Sequence, residues 1–201
     1  FFKVLVIGDV SCGKTSLVNR IVNNIFNESY KATLGCEFGL KVMDVEGESV
    51  RVQLWDLAGQ DRLGGISKLY CRDANGAMVV CDITNPATIE RAIDWKHQID
   101  ESVRLSDGSA IPMILCVNKY DAVKDSPNCP TKAEFDVLAS RHQFVAAYFT
   151  SAKTDYNATE ALTHLTKEIM HTKPDKDARQ SLTGSKLESN PKAKPAKSKC
   201  C

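Results

Sequence analysis

The sequence predicts an α/β domain: a mostly parallel six-stranded sheet with one antiparallel edge strand and helices on both faces. Three observations carry this reading. Short apolar runs alternate along the chain with stretches of helical apolar spacing, so most strands are joined by helical crossovers. Two strand-like segments, 38–43 and 50–54, are separated only by a turn at Glu46-Gly47-Glu48, which supplies the antiparallel strand. Between the first apolar run and the first helical pattern lies Gly8-Asp9-Val10-Ser11-Cys12-Gly13-Lys14-Thr15, which fits the phosphate-cradling pattern G-x-x-x-x-G-K-[ST] in the strand–loop–helix setting it requires.

In order, the run from Phe2 to Ile7, broken only by Lys3, reads as a buried strand. Leu17, Val18, Ile21, Val22 and Ile25 mark one face of the helix that follows the loop. The polar stretch from Phe26 to Cys36 has no period and reads as a loop. Phe38, Leu40 and Val42, then Val50, Val52 and Leu54, alternate with other residues as a hairpin with one face on a core. A short helix is expected over about Leu63 to Arg72, and a buried strand over Ala77 to Cys81. Asn85 with Pro86 starts a helix whose face carries Ile89, Ala92, Ile93, Lys96, Ile99 and Val103, the Lys96 stem being tolerable there. Met113 to Val117 is the next buried strand. Thr131 and Glu134 form a capping box before Phe135, Leu138 and Ala139. Phe144 to Phe149 is the last strand, and Ala158, Ala161, Leu162, Leu165 and Ile169 face the core from the final helix. The expected organisation is one domain over 1–171 and a disordered tail over 172–201, where apolar periodicity gives way to Lys, Ser and Pro.

The 201 residues suffice for one domain with a full core. The chain opens on Phe1 inside its first strand, so native residues are expected to precede it and an absent leader carries no weight. No apolar stretch reaches the length of a membrane span. Charge is uneven. Eight Lys and Arg against three acidic residues give 172–201 a charge of +5, leaving −4 on the rest of a chain whose total is +1. An acidic body with a basic tail argues against nucleic acid as a partner and suits an anionic membrane surface. The eight cysteines form no C-x-x-C and have no His at metal-ligand spacing, so a reducing compartment is expected, with Cys81 and Cys116 as small buried residues. The four histidines lie on or beside helices and read as surface residues.

The polar clusters fall at the carboxyl ends of strands, where open α/β sheets bind ligands. In the first, backbone N–H groups and the helix N-terminus can wrap an anionic phosphate chain. Gly8 and Gly13 supply backbone conformations that a Cβ hinders. Ser11, Cys12, Gly13, Lys14, Thr15 and Ser16 form the cradle, Lys14 reaching the outer phosphates and Thr15 ligating Mg²⁺. In the second, Asp56-Leu57-Ala58-Gly59-Gln60, Asp56 can hold Mg²⁺ through water and Gly59 can present its N–H to a γ-phosphate. Gln60 can orient an attacking water, because its amide both donates and accepts. In the third, Asn118-Lys119-Tyr120-Asp121, the Asp121 carboxylate can accept from guanine N1–H and N2–H₂ together, a pair adenine lacks. Asn118 would tie the base-binding loops and the Lys119 stem would cover one ring face. In the fourth, Thr150-Ser151-Ala152-Lys153, backbone N–H groups near Ala152 can meet guanine O6. Thr33 can complete the Mg²⁺ shell only when a γ-phosphate is present, and Phe26 can pack edge-on to the base.

With these residues in place the chain resembles the Rab family of small GTPases, in the Ras superfamily, over residues 2–171 and at its last two residues. Tyr30-Lys31-Ala32-Thr33-Leu34-Gly35-Cys36-Glu37-Phe38 is similar to the first Rab switch and Trp55-Asp56-Leu57-Ala58-Gly59-Gln60-Asp61-Arg62 to the second. The resemblance implies a P-loop GTPase domain using GTP/GDP and Mg²⁺. It places Tyr30, Ser151 and Lys153 at the nucleotide with the residues above, Gln60 in catalysis, and Thr15, Thr33 and Asp56 at the metal. Phe38, Trp55 and Tyr70 match the aromatic triad that Rabs show to effectors. The stretch from Trp55 to Asp82, with Trp95-Lys96 and Asp107-Gly108-Ser109-Ala110-Ile111-Pro112, is most similar to Rabs serving lysosome-related organelles. Lys199-Cys200-Cys201 is not a C-a-a-X box and resembles a double geranylgeranylation site at Cys200 and Cys201. The implied partners are effectors, an exchange factor, a GTPase-activating protein, a GDP-dissociation inhibitor and a prenylation escort. The implied location is the cytosol and the cytoplasmic face of endosomal or lysosome-related membranes.

Several positions depart from the family pattern. Val10 and Ser11 stand where Ras proteins carry two glycines and most Rabs Ser-Gly or similar, so Val10 is expected to crowd Gln60 and slow hydrolysis. Asp61 replaces the usual Glu, Leu63 the usual aromatic and Cys71 the usual Tyr, and Leu63-Gly64-Gly65 is expected to loosen the second switch. Two other functions fit less well: a GTP-binding scaffold with negligible hydrolysis, and a small phosphoryl-transfer kinase, which Asn118 to Asp121 opposes.

Overall fold

The computed structural model describes residues 1–28, 33–59 and 69–172. Its elements are β1 (Phe2–Gly8), α1 (Lys14–Asn23), β2 (Cys36–Val45), β3 (Glu48–Leu57), β4 (Gly76–Asp82), α2 (Pro86–Ser102), β5 (Met113–Asn118), α3 (Lys132–Arg141), β6 (Ala146–Phe149) and α4 (Ala158–His171). The sheet runs β2-β3-β1-β4-β5-β6. Every pairing is parallel except β2 with β3. The expected architecture is the observed one.

Alternation along β1 divides the core. Leu5 and Ile7 enter a cluster with Val79, Leu115 and the α2 and α3 residues Trp95, Ile99 and Phe135. Val4 and Val6 enter a second cluster, with Leu17 and Ile21 of α1 and Leu162 and Leu165 of α4. Burial on both faces explains why the central strands read as continuous apolar runs. The topology sends the carboxyl ends of β1, β3, β5 and β6 to one edge, where the polar clusters lie.

Four local expectations are corrected or refined. Ile25 does not belong to the first helix, which ends at Asn23 with Asn24 in the left-handed conformation (φ 56°), and Ile25 is 58% exposed. The apolar set of β2 does not face the core: Phe38, Leu40 and Val42 are 69%, 50% and 55% exposed. Helix α1 lies so close to β2 that a Cβ on Gly39 would meet Val22 Cγ2 at 2.9 Å, so the inward face of β2 is Gly39, Lys41 and Met43. The Val50, Val52 and Leu54 face of β3 is buried as expected. On α2, not only the stem but the whole Lys96 side chain is buried, its ammonium paired with Asp100 at 2.5 Å. The last strand begins at Ala146 rather than Phe144.

The other helix signals have local causes. The Thr131 capping box is present, with Glu134 N–H donating to the Thr131 hydroxyl and Thr131 N–H to the Glu134 carboxylate. Those bonds from Thr131 hold the Glu134 carboxyl below its ordinary range. Asn85 is the N-cap before Pro86, but its side chain makes no cap bond; Thr88 Oγ1 donates to Asn85 O at 2.7 Å instead. Of the short helix expected near Leu63 to Arg72, only Leu69, Tyr70 and Cys71 are helical among the described residues. Residues 60–68 and 173–201 lie outside them, and with them Gln60, Asp61 and Arg62 of the second switch, the Leu63-Gly64-Gly65 stretch and the tail after Thr172. The cysteines Cys12, Cys36, Cys71, Cys81, Cys116 and Cys129 are all free thiols, with Cys81 and Cys116 buried.

Leu162 is fully buried where α4 meets the sheet. Leu162→Ala is expected to destabilise the domain by about 2–5 kcal/mol, read as a lower urea midpoint at unchanged m-value.

Candidate functional site

The loop from Gly8 to Thr15 wraps inward on itself. The Lys14 ammonium and the Cys12 thiol both donate to Asp9 O, at 2.9 and 3.0 Å. Asp9's carboxylate is paired in turn with Arg91 of α2. Burial pushes the Cys12 thiol up to about 11, so it packs as a neutral group behind the loop. Ser11 holds φ 62° and Gly13 φ 91°; a Cβ on Gly13 would strike Asn118 Nδ2 at 2.4 Å. Gly59 approaches the same loop from β3: its Cβ would lie 2.6 Å from Val10 N and 2.8 Å from Asp9 O. A side chain at either position would separate strand ends that must touch.

Beside the loop, three oxygen-bearing side chains converge. Thr15 Oγ1 donates to Asp56 Oδ2 at 2.5 Å and lies 2.6 Å from Thr33 Oγ1, which is 3.4 Å from the same carboxylate oxygen. Asp56 is almost fully buried, and its Oδ1 has no hydrogen-bond partner among the described residues. Burial pushes the Asp56 carboxyl up, against the Thr15 bond and the Lys14 charge that pull it down. A buried carboxylate with a spare oxygen, next to two hydroxyls, is a hard-oxygen set that fits Mg²⁺. Glu37, which pairs with Asp56 across β2 and β3, brings a second carboxylate to the cavity wall.

At the other end, Asn118 closes β5 and joins three segments. Its Nδ2 donates to Cys12 O at 3.0 Å, while its Oδ1 accepts from Ala152 N at 3.3 Å and Thr150 Oγ1 at 3.4 Å. Ser151 Oγ donates to Asp121 Oδ1 at 2.5 Å and so orients that carboxylate. Lys119, at φ 65°, reaches back to Asp82 at 2.6 Å. Burial pushes Asp82 up, but its bonds to Lys119 and Thr84 outweigh this and hold it below its usual range. Tyr120 stacks on Phe149 and on Tyr156, with centroids at 4.8 and 5.3 Å, joining the two loops from outside.

These groups border one cavity of ≈ 690 Å³, within the range of small-molecule sites. Of the residues expected at the nucleotide or metal, Ser11, Gly13, Lys14, Thr15, Ser16, Phe26, Thr33, Gly59, Asn118, Lys119, Asp121, Ala152 and Lys153 line it. Cys12, Asp56 and Ser151 are buried behind its wall. Tyr30, Gln60, Cys200 and Cys201 lie outside the described residues. The cavity adds residues that were not expected at the nucleotide, among them Asn19, Ile25 and Glu28, and Glu37 from within the first-switch segment. None of these was marked by a sequence signal, since Ile25 fits the helical spacing of α1 and the others follow only from how the chain folds back. Away from the cavity, Phe38, Trp55 and Tyr70 form a continuous aromatic row, with centroids 6.0 and 6.2 Å apart. Lys3 Nζ sits 4.1 Å above Trp55.

Removing Asn118 should release the phosphate loop from the loop after β6. Asn118→Ala is expected to weaken GDP binding by roughly tenfold or more, since several net hydrogen bonds of about 1 kcal/mol each are lost. Titration with a fluorescent GDP analogue measures this.

The sequence model of the Ras family matches residues 3–171. Ras-related protein Rab-32 of Sus scrofa is 39% identical over 201 residues, spanning 100% of this chain and 88% of that protein. Rab-32 of Homo sapiens is 42% identical over 170 residues, 84% of this chain and 75% of that protein. Ras-related protein Rab-7L1 of Mus musculus is 36% identical over 201 residues, 100% of this chain and 96% of that protein. A family match over the whole folded region, with relatives aligned along the full chain, accounts for a cavity built at both ends for a nucleotide. The chain therefore belongs to the Ras family and is one of its Rab GTPases, a GTP-binding and GTP-hydrolysing regulator of membrane traffic.

Proposed function

We propose that this Rab is a slow GTP-driven switch acting on lysosome-related membranes, with each residue of the cavity in a defined role. The observation that carries the reading is the Asn118 side chain, which ties Cys12 of the phosphate loop to Ala152 and so sets phosphate and base sites at a fixed spacing. Asp121, oriented by Ser151, accepts from guanine N1–H and N2–H₂, and the Ala152 N–H, whose bond to Asn118 Oδ1 is long at 3.3 Å, is shared with O6. Lys119 covers one ring face and Phe26 packs at the edge. Lys14 leaves Asp9 O for the outer phosphates, while Ser11, Cys12, Gly13 and Ser16 offer backbone N–H groups.

Thr15, Thr33 and Asp56 hold Mg²⁺, which when bound neutralises charge on the phosphates. A γ-phosphate draws Thr33 and the Gly59 N–H inward and orders both switches; its loss releases them. Gln60 orients the attacking water. Phe38, Trp55 and Tyr70 meet effectors in the ordered state. An exchange factor, an activating protein, a GDP-dissociation inhibitor and a prenylation escort complete the cycle. The folded domain ends at 171, and the basic tail from 172 carries lipid on Cys200 and Cys201.

A scaffold that binds GTP with negligible hydrolysis has one observation in its favour. Val10 lines the cavity, and its backbone is already in close contact with Gly59, so its side chain competes for the space a catalytic Gln60 must enter. Single-turnover hydrolysis distinguishes the two. Val10→Gly is expected to hydrolyse GTP at least several-fold faster than the parent; equal rates would remove Val10 as the brake. In cells, the tagged chain is expected on membranes of lysosome-related organelles, and the double variant Cys200→Ser, Cys201→Ser in the cytosol. A double variant that stays on membranes would contradict lipid anchoring there.

A further inference from the structure

The geometry points to Arg20 as a positioning residue for recognition of guanine O6, acting through the loop after β6; this rests on the role proposed for the Ala152 amide. Arg20 sits in the last turn of α1, outside every nucleotide motif. Its guanidinium donates through Nε to Ala152 O at 2.8 Å and through Nη2 to Lys153 O at 3.1 Å. Through Nη1 it donates to Asn24 O at 3.1 Å and Asn24 Oδ1 at 2.7 Å. One planar fork therefore fixes consecutive carbonyls of the Ala152–Lys153 loop to the end of α1. No carboxylate pairs with Arg20 among the described residues, so its cation is directed wholly at these backbone and amide oxygens.

The same two segments meet again at the cavity mouth, where Lys153 Nζ pairs with Glu28 Oε1 at 3.0 Å. At its base the loop is closed separately, by Ser151 N–H to Tyr156 O at 2.9 Å and Tyr156 N–H to Ser151 O at 3.2 Å. Ser151, at that base, is the residue that orients Asp121. Two edges of the purine are thus governed by different devices. Asp121 and the N1/N2 edge depend on the loop's base. The Ala152 amide and the O6 edge depend on its tip, where Asn118 Oδ1 accepts from the Ala152 N–H at 3.3 Å and Arg20 holds the two carbonyls that follow.

That division gives the test. Fluorescent GDP release, and affinities for GDP, inosine diphosphate (no N2 amine) and 6-thioguanosine diphosphate (sulfur, a poorer acceptor, in place of O6, with N1–H and the N2 amine kept), are measured on the full chain for wild type, Arg20→Ala and Arg20→Lys. Arg20→Ala is expected to release GDP about tenfold faster, as loss of charge-assisted hydrogen bonds implies. It should lose most of its preference for GDP over the 6-thio analogue and keep its preference over inosine diphosphate. Arg20→Lys, with one ammonium for a fork, should fall between. An Arg20→Ala protein with unchanged release and unchanged O6 preference overturns the inference. So does a parallel fall of both preferences, which marks general loosening. If Arg20→Ala does not fold, Arg20→Lys decides, and wild-type values in both readouts overturn it. If wild type itself ignores O6, the Ala152 assignment has failed, and the release rates alone then judge Arg20.

Discussion

The site depends on one buried amide. Asn118 lies at the end of β5, a strand buried along its whole length between β4 and β6, and its two polar ends are both engaged with backbone from other segments. An amide is suited to this because it donates and accepts at once. Its Nδ2 takes the carbonyl of the phosphate loop and its Oδ1 takes the amide of the loop after β6. Buried polar groups without partners are costly, so each loop is held by the other's need. Gly13 belongs to the same constraint, because any Cβ there would occupy the space of Asn118 Nδ2.

At the opposite end of the cavity the arrangement is less complete, and that incompleteness is informative. Asp56 is buried with one oxygen shared by two threonine hydroxyls and one oxygen without a partner among the described residues. Burial alone would favour the protonated carboxyl. Divalent charge at this point would reverse that preference. Lys14 behaves similarly: its ammonium rests on Asp9 O, a backbone oxygen that a phosphate oxygen readily replaces. The base end is thus satisfied by the protein itself, whereas the phosphate end has groups whose best partners are anions and cations from outside.

The mostly parallel six-stranded sheet and the motif positions were legible in the sequence because each rests on local pattern: continuous apolar runs, helical spacing, and short polar clusters directly after strands. Features set by distant packing were not. Phe38, Leu40 and Val42 carry a clean period of two, but the pattern cannot say which side of β2 a helix will cover; α1, pressed against Gly39, decides it. Lys96 reads as a stem with an exposed head, yet Asp100 one turn on lets its head be buried too. Arg20's tie to the loop after β6 gives no signal, since its partners there are carbonyls more than 130 residues away and carbonyls have no letter in the sequence.

The outward turn of β2 also links the cavity to the aromatic row outside it. Successive side chains on a strand point to opposite faces. Asp56 therefore enters the oxygen cluster beside Thr15 while its neighbour Trp55 joins Phe38 and Tyr70 in the aromatic row. On the facing strand Glu37 borders the cavity while Phe38 is exposed. The register fixes these as pairs: Glu37 lies opposite Asp56, and Phe38 opposite Trp55. A displacement of β2 toward bound phosphate cannot move Glu37 without carrying Phe38, one peptide away. Two adjacent residues on each of two paired strands thus join a charge event inside the cavity to the shape of an apolar surface outside it. A coupling through two paired strands of this kind requires no relay through the core.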